Sequence, residues 1–214
     1  NAAIISAVAF RKAMPDHAVT VALAAALQES KLVDLPYGDQ DSLGLFQQRP
    51  SQGWGTPGQI LDPNYAASAF YDHLALVPGW ETMPVTEAAQ LVQRSADPSA
   101  YAVWAPEARA LARALTGEVA GGMSCHLDGY GGAAPARDAL GAAATQELGS
   151  NVLGAPVGTK TGWAVATWAV AHAFNYHLAA VSFAGWQWTE ASGSWRQAGS
   201  AGASPPAVTV TPSS

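Results

Sequence analysis

Prolines and proline–glycine pairs cut the first 115 residues into segments of helix length, and this punctuation constrains the fold more than any other feature of the chain. A proline cannot continue a helix interior, because it lacks the amide donor and its ring collides with the preceding turn. Pro15 therefore closes a first segment, residues 2 to 13, whose apolar positions are Ile4, Ile5, Val8 and Phe10. Asp16 can cap a second, in which Val19, Leu23 and Leu27 recur every four residues and share one face. Ala22, Ala26 and Glu29 follow a neighbouring stripe, which puts a carboxylate at the border of the buried face. Glycines 53, 55 and 58, with Pro57, mark a loop. Asp62-Pro63 opens a third helix bearing Tyr65, Phe70, Tyr71 and Leu74, ended by Pro78-Gly79. Thr86 and Glu87 begin a fourth through Gln93, broken by Pro98, and Pro106 starts a fifth that runs to about Leu115.

The remaining residues read differently. From residue 117 the composition shifts to glycine, serine and small residues, which suggests a linker over 118 to 134. Residues 135 to 198 form a small α+β region: an alanine-rich helix over 135 to 148, a buried helix over 162 to 177, then Val181, Phe183, Trp186, Trp188 and Trp195 in short strand-like runs parted by a turn at 191 to 194. The fold class is therefore mainly α, a helical domain over 1 to 117 followed by a helix pair with a β-hairpin. Five of the eight tryptophans (163, 168, 186, 188 and 195) lie in this later part, at spacings that fit a core better than a platform for sugars. The tail, 199 to 214, with Val208 and Val210 alternating, is either disordered or a single edge strand.

Composition excludes several functions. With 214 residues, 49% of them hydrophobic, the chain can bury a real core. Its net charge of -6 and its lack of any basic run argue against nucleic acid as a partner. A lone cysteine, Cys125, rules out an internal disulfide framework. Histidines 17, 73, 126, 172 and 177 lack paired metal-ligand spacing, and neither a G-x-S-x-G elbow nor a phosphate-binding glycine loop occurs, so neither a metal nor a cofactor is expected. The apolar window from 162 to 186 is interrupted by His172, Asn175, Tyr176 and His177, which fits a helix followed by a strand better than a membrane span. No signal-like stretch begins the sequence at Asn1, so an export signal or anchor is expected outside it.

The functional signal is the string Gln28-Glu29-Ser30, followed by a polar turn and then Gly44-Leu45-Phe46-Gln47. It resembles the catalytic signature of the soluble lytic transglycosylases and goose-type lysozymes, in which an acid at a helix end precedes a Gly-Leu-Met-Gln turn. Gly44 follows Glu29 by 15 positions and Gln47 by 18, the register of that family. Asp62-Pro63-Asn64-Tyr65-Ala66 is similar to the family segment that packs behind the cleft, so the resemblance covers about residues 17 to 105. Gly38 stands where the family carries a serine, and Asp41, Ser42 and Leu43 replace some of its small residues. For the family's later Ala-Tyr-Asn-Ala-Gly segment the nearest analogue is Gln93-Arg94-Ser95-Ala96, with Tyr101 six beyond Ser95.

What the resemblance implies is a lysozyme-like domain over 1 to 117, a monomer secreted or held in the bacterial cell envelope, cleaving the β-1,4 bond between N-acetylmuramic acid and N-acetylglucosamine in peptidoglycan strands. Glu29 would be the general acid, and Ser42, Gly44, Phe46, Gln47, Gln93 and Tyr101 would meet substrate. Cleavage needs a proton delivered to a poor leaving group, and apolar neighbours such as Leu27, Leu45 and Phe46 favour a protonated carboxyl. Gly44 would let a sugar approach the backbone, and Gln47 offers a donor and an acceptor. If Asp39 or Asp41 is a second carboxylate that positions water, the enzyme is a hydrolytic muramidase; if neither is, the muramic C6 hydroxyl attacks, as in a lytic transglycosylase. A third reading is a lysozyme-like wall-binding or adaptor protein without catalysis.

Overall fold

The computed structural model describes residues 1–95, 97, 99–130, 134–136, 138–199 and 206–213. Ala96 and Pro98, the stretch at 131 to 133, Arg137 and tail positions 200 to 205 and 214 lie outside the described residues. The chain is α-rich with a small antiparallel sheet, and it divides into two compact units, Asn1–Ala112 and Arg113–Ser214.

In the first unit α1 (Ala2–Arg11) and α2 (Asp16–Ser30) meet at the Pro15 turn. Every residue of α2 from Ala18 to Leu27 is buried, so it is a central helix and not the one-faced amphipathic helix its Val19, Leu23 and Leu27 stripe suggests. Alanines make this possible: with methyl groups on its other faces, α1, α4 (Pro63–Leu74) and α5 (Val85–Gln93) close on α2 from several directions. The Asp62 carboxylate accepts from the Asn64 amide at 2.9 Å and caps α4 beside Pro63. The loop expected near 53 to 58 follows a 3-10 turn at Pro50–Gln52 and runs into the one-turn α3 (Pro57–Ile60). A reciprocal capping box between Thr56 and Gln59 forms α3, a Thr-x-x-Gln signal masked by the surrounding glycines. A 3-10 turn at Ala102–Trp104 precedes α6 (Ala105–Leu115), which leads out of the unit.

α2 stops in an αL cap made without glycine. Lys31 and Leu32 both take left-handed backbone angles (φ 57° and 64°), and their amides bond Leu27 O and Ala26 O at 3.2 Å each. The chain thereby turns sharply away right after Gln28, Glu29 and Ser30.

In the second unit α7 (Ala139–Leu148) and α8 (Thr159–Ala171) precede a four-stranded antiparallel sheet: β1 (Leu178–Phe183), β2 (Trp186–Thr189), β3 (Trp195–Gln197) and β4 (Thr209–Pro212), in the order β3-β2-β1-β4. The expected hairpin, with its turn at 191 to 194, is the β2–β3 pair; a second, β1–β2, is turned by Ala184 and Gly185 at φ 50° and 82°, as a tight two-residue turn requires. Of the two readings of the tail, the edge strand is the one observed, β4 lying against β1. Gly162 lets α8 settle on the sheet, since a Cβ there would lie 1.9 Å from the Phe183 ring. α8 ends at Ala171, so His172, Asn175, Tyr176 and His177 fall after it and not within it. No helix of the described residues is long and apolar enough to cross a membrane.

The tryptophans serve this core. Trp163, Trp168 and Trp188 are 5%, 2% and 0% exposed, while Trp186 remains 41% exposed. Trp188 and Trp195 donate their indole N–H groups to Cys125 O (3.2 Å) and Met123 O (2.9 Å), and the Tyr130 hydroxyl donates to Leu178 O of β1, so the stretch read as a linker is tied to the sheet at several points. Between α7 and α8 lies a buried carboxylate, Glu147, that sequence reading passed over. Trp168 Nε1 donates to its Oε2 at 2.7 Å, and His172 Nε2 is 3.3 Å from its Oε1. Burial pushes the Glu147 carboxyl up, but His172 and Trp168 outweigh it and hold the group below its usual range.

Candidate active site

The three residues at the end of α2 each grip a different piece of the first unit. Ser30, buried, donates its hydroxyl to Leu45 O at 2.8 Å and so fixes the 44 to 47 turn to the helix. Glu29, half-buried, accepts at Oε1 from the Tyr101 hydroxyl at 2.7 Å. Gln28 accepts at Oε1 from Trp104 Nε1 at 2.7 Å. Successive helical side chains point about 100° apart, which is why neighbours in sequence reach three separate partners.

Tyr101 is fully buried, yet its hydroxyl meets the carboxylate. Burial, and then the Glu29 carboxylate, push the phenol far above its usual range, with the Ser95 hydroxyl pulling the other way. The phenol is therefore a fixed proton donor. Ser95 Oγ in turn accepts from the Asp97 amide at 3.3 Å, so a short hydrogen-bond chain runs from Asp97 through Ser95 and Tyr101 to Glu29. Among the described residues, Glu29 Oε2 has no protein donor.

The turn that Ser30 ties to the helix end is built as a closed unit. Leu43 and Gln48 exchange backbone bonds at 2.9 Å in both directions, and Leu45 and Phe46 point into the core with no exposure. Phe46 stacks on Phe70 at 4.7 Å, so its ring packs the interior and is out of reach of a ligand. Gly44 is explained by packing: at φ 74°, a Cβ there would lie 2.6 Å from Ile60 O, so glycine is required whether or not a sugar approaches. Gln47 holds a left-handed backbone (φ 47°), and its amide donates to Gly44 O at 3.2 Å and Tyr37 O at 3.3 Å, folding back over Gly38. A Cβ on Gly38 would sit 1.9 Å from Gln47 Oε1, which accounts for glycine at that position. Gln93 Nε2 donates to Phe46 O at 2.7 Å, so this amide ties α5 to the turn. Ser42 is buried, and its amide bonds Asp39 O at 3.0 Å.

Neither proposed second carboxylate is hydrogen-bonded to Glu29. Asp41 Oδ1 takes Arg49 Nε at 2.7 Å and the Ser51 hydroxyl at 3.0 Å, and its Oδ2 takes the Ser51 amide at 2.8 Å. The Arg49 bond first, then the two from Ser51, hold this carboxyl well below the usual range, where it is a weak base. Asp39 is exposed on the outside of the turn. A third carboxylate, Asp34, escaped sequence reading: its Oδ1 is buried without a donor among the described residues, and burial, then Asp62, raise it. Trp104 and Lys31 escaped as well. The one available signal for Trp104 was its spacing of three from Tyr101, a single 3-10 turn. No protein-family model matches the chain, and a search of curated proteins finds no match.

Proposed function

We propose that the chain cleaves peptidoglycan strands at the β-1,4 bond between N-acetylmuramic acid and N-acetylglucosamine, with the first unit a lysozyme-like domain and Glu29 the general acid. The observation that carries the reading is the Tyr101–Glu29 bond of 2.7 Å. With Oε1 occupied by a donor, the acidic proton belongs on Oε2, the oxygen left without a partner among the described residues, where it can be delivered to a glycosidic oxygen. The Tyr101 hydroxyl holds the acid in one orientation, which is what proton transfer over hydrogen-bond distance requires.

The engagement of Asp41 by Arg49 and Ser51 and the exposure of Asp39 favour attack by the muramic C6 hydroxyl over activated water. In that course Glu29 protonates the leaving oxygen, the C6 oxygen bonds to C1, and the hydroxyl proton passes back to the Glu29 carboxylate. The product is a 1,6-anhydromuramoyl end, and the site of action is the cell wall. Digestion of purified peptidoglycan followed by mass spectrometry tests this: anhydro ends are expected from the native chain and no products from Glu29→Gln. Hydrated ends would replace the transglycosylase by a muramidase. A folded chain that binds wall and releases nothing would make it an adaptor.

A further inference from the structure

The geometry points to Trp104 as a positioning residue that latches the Tyr101 hydroxyl onto Glu29. One hydrogen bond between two side chains is a hinge, since the Tyr101 segment can pivot about it. Here two bonds join the same pair of elements: residues 28 and 29 at the end of α2 accept, and residues 101 and 104 at either end of one 3-10 turn donate, each at 2.7 Å. The turn itself is closed by the Trp104 amide on Tyr101 O at 3.2 Å, so the two donors move as one body.

A third tie holds the indole down. Lys31 places its ammonium 4.1 Å from the centre of the Trp104 ring while donating to Leu27 O at 3.0 Å. An ammonium over an indole face is attractive, and the left-handed turn at Lys31 is what folds its side chain back along α2. The latch therefore uses the helix end twice, once through its side chains and once through its last carbonyls. Removing the Trp104 N–H leaves the Tyr101–Glu29 contact held by packing and Ser95 alone, and a displacement of about 1 Å at a catalytic group can cost on the order of 10²-fold in rate.

This rests on the reading of Glu29 as the acid, and the test separates the two. In the full chain, Trp104→Phe keeps an aromatic ring near Lys31 and removes the donor with part of the indole; Gln28→Ala removes the acceptor with its side chain and leaves Trp104 whole, so an effect shared by both variants reports the bond. The first readout is the Tyr101 hydroxyl proton by NMR, identified by its loss in Tyr101→Phe. It is expected to exchange slowly in the native chain and about 10-fold faster in both variants. The second is turnover on peptidoglycan, where kcat is expected to fall about 10-fold in both variants, with KM and the melting temperature essentially unchanged. Unchanged hydroxyl exchange in both variants overturns the latch, and so does faster exchange with unchanged kcat. If the native chain itself cleaves no glycan, the proposed function falls, and the hydroxyl readout alone decides the latch.

Discussion

Glu29 in the first unit and Glu147 in the second are held by the same kind of bond, an aromatic donor at 2.7 Å on one carboxylate oxygen. They differ in the other oxygen. At Glu147 it faces His172, the group is 6% exposed, and every acceptor is used inside the fold. At Glu29 it has no protein donor among the described residues, and the side chain is only half-buried. A carboxylate satisfied on both oxygens fastens two helices together. One satisfied on a single oxygen is oriented and still available, and that combination is what proton transfer needs. The partner set, more than burial, separates the structural acid from the one proposed to react.

Exchanging each glutamate for its amide should give opposite results if that contrast holds. Glu29→Gln is expected to lower glycan cleavage by about 10²–10⁴-fold with little change in melting temperature. Glu147→Gln is expected to leave cleavage intact and to cost the second unit about 2 kcal/mol, read from its denaturant midpoint. An inactive Glu147→Gln that keeps its stability would break the comparison.

The pH dependence sharpens it. The carboxyl of Glu147 is held below the ordinary glutamate value of 4.5, so its contribution is present above that pH and fades as pH falls through the lowered folded value. The stability gap between native chain and Glu147→Gln, measured by thermal melts from neutral pH downward, is expected to be constant until pH drops below 4.5 and then to close. A gap that persists in acid would mean that the packing of the glutamate, and not its charge, holds α7 to α8.

The contrast between the acids was only half legible in the sequence. Glu29 stood out because its relation to Gly44 and Gln47 is a local register, carried by one helix end and one turn. Tyr101 was reachable by positional analogy. Trp104 was not, because its role comes from a single 3-10 turn that hydrophobic periodicity does not signal. The pairing of Glu147 with Trp168 and His172 was hidden for another reason: these residues are 21 and 25 positions apart and meet only when two helices pack. Gly44 and Phe46 were assigned to substrate when packing against Ile60 and Phe70 already explains them. Burial all round α2 was likewise invisible to a pattern that counts only large apolar residues and passes over alanine.

Two smaller effects bear on the first unit. Gly38→Ala pushes a methyl into Gln47 Oε1 and Ser42 O; the Gln47 side chain can swing aside but the Ser42 carbonyl is backbone and must shift, so the expected cost is about 1–3 kcal/mol, measured by denaturant unfolding, with partial loss of cleavage. Asp41→Asn is expected to change cleavage by less than about 3-fold, because the group is committed to Arg49 and Ser51, whereas loss of a working general base costs ~10²-fold or more. A large loss there, accompanied by hydrated products from the native chain, would give the first unit a second working carboxylate and redraw the contrast with Glu147.

The strand order β3-β2-β1-β4 also fixes a sequence of events during synthesis. β1, β2 and β3 follow one another and can pair as each emerges, but one edge of β1 stays open until residues 209 to 212 have left the ribosome. In that interval the exposed backbone of Leu178–Phe183, an apolar strand, can pair with a neighbouring chain as readily as with its own β4. Crowded expression, or any delay between residues 183 and 209, therefore selects for aggregation through this strand while leaving the helical first unit untouched.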